Sequence, residues 1–323
     1  MTGAGAGELF LTSLRVSLPT FGWVVAGMLL GRFGLFPQWL NDRISRLAFR
    51  FGIPLMLFTG SARVDYSEAL HSRYVLVGIV STLLVTALAW YYSRWRQHPL
   101  AERGIFVQGA YRSNLAIVGL ALCISAYGER GAMLGALPVA LMTSLYNVII
   151  VFVFNATLGG STGLRAALLG IARNPLIIGI GAGVLYSLSG LPQPALLAPA
   201  SVWLSAFFLP LMLLCIGAAI RLGDLRRAGA LAWDSTLWRL LVAPGIAVLL
   251  ALACGVNGEA LGVLFLLVGG PAAASGYVMV VAAGGNGVLA ANIIVLTTLL
   301  SAVTLTLGLF LLSLLGLAGS IGG

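Results

Sequence analysis

The chain has 323 residues, of which 60% are hydrophobic, 8% are charged and 42 are glycine. This composition excludes the soluble classes and is typical of a helical protein that crosses a membrane many times. The net charge of +9 comes from arginine, because the sequence has no lysine, and most arginines lie between apolar runs. The charge therefore reports membrane topology, and we expect no nucleic-acid partner.

Ten apolar runs follow one another along the chain, each close to the roughly 20 residues that a helix needs to cross the hydrocarbon core. These ten spans cover about residues 9–31, 44–61, 73–93, 103–127, 131–155, 172–189, 199–220, 236–255, 259–283 and 289–317. The first span lacks a basic start and a clear cleavage site, so we interpret it as retained rather than as a signal peptide. The sequence predicts an all-α integral membrane protein with ten transmembrane helices and short loops.

The arginines between the spans divide unequally between the two sides of the membrane. Three lie on one side: Arg63, Arg73 and Arg130. Eleven lie on the other side: Arg32, Arg43, Arg46, Arg94, Arg96, Arg103, Arg165, Arg173, Arg221, Arg226 and Arg227. Because cytoplasmic loops carry the excess of basic residues, the second side is predicted to be cytoplasmic and both termini lie outside.

The three cysteines, Cys123, Cys215 and Cys254, lie within apolar runs and show no paired spacing. We interpret them as packing residues, since neither a disulfide framework nor a metal site is indicated, and we expect no cofactor. An intramembrane enzyme would need a nucleophile with a base, or metal ligands, at transmembrane depth. No histidine, aspartate or glutamate is placed for that role, so we do not expect an enzyme.

The fourth span carries polar side chains near its middle, where the bilayer is apolar. They are Gln108, Tyr111, Arg112, Ser113 and Asn114. A guanidinium at that depth costs about 3 kcal/mol or more and usually faces a cavity or a partner. Arg112 is the one cation that we place at mid-depth, and it is therefore the first functional candidate. The alternative is that Arg112 snorkels to the interface or is a structural strut that backbone carbonyls hold permanently.

The two halves of the chain match at an offset of 156 residues. Residues 19–35 align with residues 175–191, and the Pro-Leu-Met-Leu segment at 54–57 aligns with an identical segment at 210–213. Each half holds five spans, an odd number, so the second half is inverted in the membrane relative to the first. In transporters built this way the substrate binds near the midplane, where discontinuous helices meet.

The ninth span is the counterpart of the fourth and carries Gly269-Gly270-Pro271 about ten residues from its start. Proline removes a backbone donor and clashes with the preceding turn, so we predict a break near Gly270, with a simple kink as the alternative. Polar stripes lie on one face of spans five and ten: Thr143, Ser144 and Asn147, and Thr297, Ser301 and Thr304. These hydroxyls and amides either line the site or bond within and between helices.

Five segments carry a family resemblance: YRSNLAIVGLAL in span four, YGERGA at 127–132, IPLMLFTGSARVD at 53–65, LPLMLLCIGAAIRL at 209–222 and GGPAAASGYVMVVAAGGNG at 269–287. Together they resemble the auxin efflux carrier family. The Arg-Ser-Asn of span four is typical of its bacterial branch, which includes transporters of malonate and other organic anions. The resemblance implies two inverted five-helix repeats, here residues 1–157 and 158–323, whose broken helices cross.

By the same resemblance, spans one, two, six and seven form a scaffold that dimerises, and spans three to five and eight to ten form a transport unit that moves as an elevator. The crossing falls at Asn114 and Pro271. Family members often have proline where this chain has Ala121 and Thr304. Asp65 lies at an acidic position of the family at the outer end of span two.

The candidate substrate-binding residues are Arg112, Ser113, Asn114, Asn147, Gly270, Pro271, Ala272, Ser275 and Thr304. If both helices are interrupted, the freed amides near Asn114 and Pro271 should face the substrate. Candidates for ion or proton coupling are Asp65 and Glu68.

The predicted function is secondary transport of small organic anions across a bacterial cytoplasmic membrane. An anion leaving a cell that is negative inside gains about 2.3 kcal/mol per 100 mV, so facilitated export needs no coupled ion. Proton- or sodium-coupled uptake and a non-transporting sensor on the same fold are the alternatives. The expected partners are the organic anion, the lipid bilayer and a second copy of the chain, which packs through spans two and seven.

Overall fold

The computed structural model describes residues 6–63, 73–158, 173, 175–219 and 229–321, and these residues form helices joined by short connections. In chain order the helices are α1 (Ala6–Arg32), α2 (Gln38–Leu47), α3 (Ile53–Ser61), α4 (Arg73–Trp95), α5 (Leu100–Tyr111), α6 (Leu120–Leu158), α7 (Pro175–Leu188), α8 (Leu197–Ala219), α9 (Ala230–Leu237), α10 (Ala243–Ala253), α11 (Gly258–Gly269), α12 (Ser275–Ala282) and α13 (Gly287–Leu314).

Six stretches among the described residues are long and apolar enough to cross a membrane: Gly7–Arg32, Arg73–Trp95, Leu115–Leu158, Leu197–Ala218, Ala230–Ala253 and Gly287–Leu314. The protein is therefore an all-α membrane protein. The third stretch has 44 residues, and it consists of two helices because Gly128 interrupts it with non-helical angles, φ 57° and ψ −139°. The other predicted spans are shorter or interrupted helices, and the count of ten crossings stays a prediction.

Short π-helical segments precede α3, α6 and α10: Ala48–Gly52, Leu115–Gly119 and Trp238–Val242. After two of these segments a proline lies in the first turn of the next helix: Pro54 in α3 and Pro244 in α10. Proline has no N–H to donate to the preceding turn, and a wider turn accommodates the missing bond. The path from α2 to α3 begins at Gln38, earlier than predicted, because α2 is a polar helix that an apolar pattern does not reveal.

Glycines allow α1 to approach α8 and α7 to approach α3 closely. A Cβ at Gly27 would lie 2.1 Å from the carbonyl oxygen of Leu214, and a Cβ at Gly183 would lie 2.6 Å from that of Phe58. The 156-residue offset relates these two contacts, since Gly27 aligns with Gly183 and Phe58 with Leu214. The first helix of each half thus packs in the same way on the second span of the other half.

The most deeply buried helices are α5 and α11. Eight consecutive residues of α5, 104–111, are buried, as are nine consecutive residues of α11, 261–269. Helix α11 packs against α4, α6, α10 and α13. Both helices end inside the protein, so their terminal polar groups need partners there.

The cysteines differ in their surroundings. Cys123 and Cys215 are buried, as expected of packing residues, whereas Cys254 is exposed. The interpretation of Cys254 as a packing residue is therefore wrong. The reason is that α10 ends at Ala253, so Cys254 lies in the turn that follows rather than inside the helix.

A polar and aromatic cluster joins the ends of α4, α5 and α9. The hydroxyl of Tyr92 donates to the Asp234 carboxylate at 3.0 to 3.1 Å, and Nε2 of His98 lies 3.7 Å from Oδ2 of Asp234. Burial lowers the pKa of His98 below its usual 6.5, and the charges of Arg96 and Arg103 act in the same direction against the carboxylate. The imidazole is therefore held in its neutral form more strongly than in an unfolded chain.

Candidate functional site at the helix crossing

Two broken helices meet in the core of the protein. Helix α5 ends at Tyr111 and α11 ends at Gly269, and helical structure resumes at Leu115 and Ser275. We call the two non-helical segments between these ends, residues 112–114 and 270–274, the crossing. Both breaks lie where the sequence predicts them, at the Arg-Ser-Asn and Gly-Gly-Pro motifs.

The backbones of the two segments bond to each other. Ser113 and Ala272 form an isolated antiparallel β-bridge. The N–H of Asn114 donates to the carbonyl of Pro271 at 2.7 Å, and the N–H of Ala273 donates to the carbonyl of Arg112 at 3.1 Å. Each broken helix thereby satisfies groups that the other leaves free, and a buried polar group without a partner would cost about 1–3 kcal/mol.

This pairing corrects the expectation that freed amides near Asn114 and Pro271 face the substrate. The amide of Asn114 is already bonded to Pro271, and proline has no N–H to offer. The backbone at these two positions therefore joins the two segments and is not free to bind a ligand. Any ligand would have to be recognised by side chains.

Side-chain hydroxyls complete the pairing at the crossing. The N–H of Ala272 donates to Oγ1 of Thr297 at 3.1 Å, and the hydroxyl of Ser113 donates to the carbonyl of Leu267 at 2.6 Å. Leu267 lies in the last turn of α11, where carbonyls have no partner within the helix. A Cβ at Gly270 would lie 2.8 Å from Oγ of Ser113, so this approach leaves little space for a side chain.

Arg112 is 5% exposed and is held by neutral groups. Its Nη2 donates to Oδ1 of Asn147 at 3.0 Å and to Oγ of Ser275 at 3.4 Å. The guanidinium lies 5.9 Å from the centre of the Tyr146 ring. Its Nε and Nη1 are buried without a hydrogen-bond partner, and no described carboxylate forms an ion pair with it. A strut held by backbone carbonyls does not describe this arrangement.

A second arginine, Arg239, is buried in the same core. The prediction of a single cation at mid-depth is wrong, because Arg239 is 0% exposed and lies against the end of α11. It lies on the π-helical segment before α10, and its Nη2 donates to the carbonyl of Val268 in the last turn of α11. Its Nε and Nη1 have no hydrogen-bond partner.

The burial of Arg239 could not be predicted from the sequence, because the residue lies near the predicted start of span eight, where an arginine is expected at the membrane interface. The helical path in fact begins earlier, at Ala230. The local sequence gives no clear signal of the burial, because the polar residues Asp234, Ser235 and Thr236 precede Leu237 and Trp238.

A small cavity lies beside the crossing. Its volume is about 10 Å³, and Arg112, Gln108 and Gly276 are among the residues that line it. That space holds at most one water molecule, so the site is closed to a carboxylate in this conformation. Gln108 covers Gly276, where a Cβ would lie 2.0 Å from its Nε2, and its Oε1 is buried without a partner. Gln108 is one of the polar residues near the middle of span four, but the candidate binding residues from the sequence do not include it.

The structure brings most of the candidate binding residues together. Those in the crossing or bonded to it are Arg112, Ser113, Asn114, Asn147, Gly270, Pro271, Ala272 and Ser275. Thr304 is not bonded to the crossing, because its hydroxyl bonds back to the carbonyls of Leu300 and Ser301 at 3.5 and 3.4 Å. Thr297, from the same stripe, is the residue that reaches it. Asp65 and Glu68 lie outside the described residues.

A larger and mainly apolar cavity, of about 390 Å³, is lined by residues of α1, α6 and α8 and by residues at the end of α3. Arg63 and Glu129 line it and form an ion pair with an N–O distance of 2.8 Å. Ser125, on α6, donates from its hydroxyl to the carbonyl of Val16 on α1 at 2.8 Å. The cavity is therefore bordered by contacts between α6 and the neighbouring helices.

A comparison with protein families matches residues 14–309 to the membrane transport proteins, a region that includes both broken helices. The chain belongs to this family, which is the auxin efflux carrier family. Members of the family are transporters rather than enzymes. A comparison with curated proteins finds no match.

Proposed function

We propose that this membrane transport protein exports small organic anions and that the membrane potential drives the export. The observation that carries the proposal is the positive charge at the crossing and at the adjacent end of α11. Arg112 and Arg239 are buried with four unpartnered guanidinium nitrogens, and no described carboxylate is paired with either of them.

Burying a charge without a counter-charge costs free energy, and a bound carboxylate would offset that cost. Guanidinium groups bind carboxylates through short charge-assisted hydrogen bonds, often two at once. A cationic substrate would be repelled by both arginines. The arrangement therefore favours an anion.

The architecture that we propose has ten crossings in two inverted repeats, residues 1–157 and 158–323. The matched glycine contacts at Gly27 and Gly183 support this symmetry. In this arrangement α1, α2, α3, α7 and α8 form the scaffold, and α4 to α6 with α9 to α13 form the transport unit. Because the cavity at the crossing holds at most one water, substrate access requires movement, and an elevator motion of the transport unit provides it.

We further propose that two copies pair through spans two and seven in a bacterial cytoplasmic membrane, with both termini outside. Exposed apolar side chains on these spans, such as Leu55 and Phe207, are 51% and 62% exposed and suit either lipid or a second copy. A mass of one protomer in nanodiscs would contradict the dimer.

Flux in proteoliposomes tests the function. The purified protein is reconstituted, the potential is clamped in either direction, and the movement of radiolabelled mono- and dicarboxylates is measured without a proton or sodium gradient. We expect the anion flux to follow the imposed potential and to be absent from protein-free vesicles. Flux that needs a cation gradient would indicate coupled uptake, and binding without flux would indicate a sensor.

A further inference from the structure

The path from the end of α1 to the start of α3 exposes large apolar side chains beside arginines. We call its residues, 32–51, the basic connection. The stretch holds four arginines and one aspartate, a net charge of +3. Five of its large apolar side chains are each at least 60% exposed: Phe33, Leu35, Trp39, Leu47 and Phe51. Charge and exposed apolar surface therefore occur together in this part of the protein.

Helix α2, in the middle of the basic connection, has one face toward the protein and one face away from it. Asn41 is buried, and its Nδ2 donates to the carbonyl of Cys215 on α8 at 3.2 Å. Trp39 and Arg43 are four residues apart, so they lie together on the opposite face, and both are exposed. In the described part of the chain Arg43 forms no ion pair. Its charge thus lies next to an exposed indole ring.

The second half of the chain makes the equivalent connection without any charge. The offset of 156 residues places 32–51 on 188–207, a segment with no charged residue. Helices α1 and α7 end at matching positions, Arg32 and Leu188, and each is followed by a glycine with positive φ, 72° at Gly34 and 68° at Gly190. The uncharged segment also exposes apolar side chains, among them Trp203. The fold therefore forms this connection without arginines, and their presence in the first half needs another explanation.

Lipid headgroups provide that explanation. Exposed aromatic and aliphatic side chains fit the boundary between headgroups and acyl chains, where tryptophan is enriched. An arginine beside them lays its aliphatic part on the apolar surface and extends its guanidinium to the headgroup phosphates. Arg50 already lies on such a surface, 5.6 Å from the centre of the Phe51 ring. The uncharged segment suits any lipid, whereas the basic connection attracts headgroups with a net negative charge.

We infer that the basic connection is a binding surface for anionic phospholipid of the cytoplasmic leaflet, centred on Trp39 and Arg43. The competing explanation is that its arginines only set the topology during insertion and afterwards contact lipids of any charge. Because Asn41 bonds α2 to α8, the bound lipid holds the proposed scaffold at the membrane surface. Lipid binding at this surface does not depend on which substrate is carried.

Quenching of Trp39 by brominated lipids tests the surface. The protein is reconstituted in phosphatidylcholine vesicles with a minor fraction of phosphatidylglycerol, and the bromine is carried either by the phosphatidylglycerol or by an equal amount of the phosphatidylcholine. The fluorescence that is lost in Trp39→Phe gives the signal of Trp39. We expect this signal to report an affinity about fivefold or more higher for phosphatidylglycerol, because one arginine near an anionic lipid surface contributes about that factor.

The uncharged segment supplies the matched control. Trp203→Phe gives the signal of Trp203 in the same way, and we expect the two brominated lipids to quench it equally. Arg43→Gln should reduce the phosphatidylglycerol preference at Trp39 several-fold, whereas Arg43→Lys, which keeps the charge, should preserve most of it. Arg73→Gln removes an exposed arginine at the start of α4 and should change nothing at Trp39. The thermal unfolding midpoint shows whether each variant is folded.

Three results would overturn the inference in favour of a topology signal alone. They are equal quenching of Trp39 by the two lipids, the same preference at Trp203 as at Trp39, and an unchanged preference in a folded Arg43→Gln protein. Absence of quenching by either lipid would overturn it differently, because a second copy of the chain would then cover Trp39. None of these measurements requires transport, so they stand apart from the flux experiment.

Discussion

Arg112 is held by an amide oxygen and a hydroxyl oxygen, and this choice of partners determines what its charge can do. A carboxylate partner would neutralise the guanidinium and leave nothing for a ligand. Oδ1 of Asn147 and Oγ of Ser275 fix its orientation while the full charge remains. Neutral partners therefore orient the guanidinium without neutralising it, at the cost of burying an unpaired charge.

Replacing Arg112 by glutamine should lower anion affinity by about tenfold or more, since a charged hydrogen bond contributes about 1.5–3 kcal/mol. Isothermal titration calorimetry with a carboxylate measures the loss of affinity, and the thermal unfolding midpoint shows whether the variant is folded. Arg94→Gln, at an exposed arginine, is the control. Unchanged affinity in a folded Arg112→Gln protein would favour a purely structural role for the residue.

Two adjacent threonines of α13 allow a test of the hydroxyl at the crossing. Thr297 accepts the N–H of Ala272, whereas the hydroxyl of its neighbour Thr298 bonds only to its own helix, at Ile294. Thr297→Val should destabilise the protein by about 1–3 kcal/mol, because it leaves a buried amide unbonded. Thr298→Val should cost less. Equal unfolding midpoints for the two variants would contradict the role of Thr297.

His98 should make stability depend on pH. Its pKa is lowered in the folded protein, chiefly by burial, so below about pH 6.5 the unfolded chain takes up a proton that the folded protein resists. Stability is therefore full above that pH and falls as the pH drops through the folded pKa. We expect the thermal midpoint to decrease between pH 7.5 and 5.5, and His98→Asn to flatten this slope. An identical slope in the variant would assign the effect to other groups.

Several residues of the candidate site can be predicted from the sequence, because they are polar or break a helix where a membrane span is expected to be apolar and continuous. Arg112 and Asn114 stand out in an apolar run, and Pro271 marks a break through its missing donor. The same reasoning misses Arg239, since its depth depends on where the helix begins. It also selects Thr304 rather than Thr297 as a candidate binding residue, because helical spacing gives the face that the two share but not the depth at which the other helix crosses.

At the scale of elements, the two broken helices stabilise each other. Either break alone would leave buried backbone groups unbonded, which is costly where no water is present. The pairing of Asn114 with Pro271 and of Ala273 with Arg112 removes that cost for both. The sequence indicates each break separately, but it contains no local signal for the β-bridge, which depends on the three-dimensional approach of distant segments.

The close glycine contacts of the two halves should respond alike to substitution. A Cβ at Gly27 or at Gly183 would collide with a backbone carbonyl that cannot move easily, so alanine at either position should destabilise the protein by about 1–3 kcal/mol. Gly22 and Gly181, in the same two helices, have open space around them. Alanine there should stabilise by about 0.5–1 kcal/mol through helix propensity.

Unfolding midpoints of the four glycine variants measure the effect. Opposite behaviour of Gly27→Ala and Gly183→Ala would argue against a repeat with matched packing. A neutral result at both positions would show that the helices separate at little cost.

At the scale of the whole molecule, few polar contacts join α6 to the proposed scaffold. Among the described residues they include the Arg63–Glu129 ion pair and the bond from Ser125 to Val16. An exposed ion pair contributes about 0–1 kcal/mol, and the Glu129 side chain is 53% exposed, so this contact can open and re-form at little cost. The apolar cavity beside it leaves α6 only partly packed on this side.

An elevator motion requires these contacts to break, and cross-linking tests that requirement. In a protein whose native cysteines are replaced by serine, cysteines at Arg63 and Glu129 join the scaffold to the transport unit. Oxidation of this pair should abolish anion flux, and reduction should restore it. The matched control joins Arg130 to Glu259, an ion pair that lies within the proposed transport unit. Its cross-link should leave the flux unchanged, because both residues move together. Full flux with Arg63 and Glu129 cross-linked would mean that α3 and α6 do not separate during transport, and the elevator proposal would have to be abandoned.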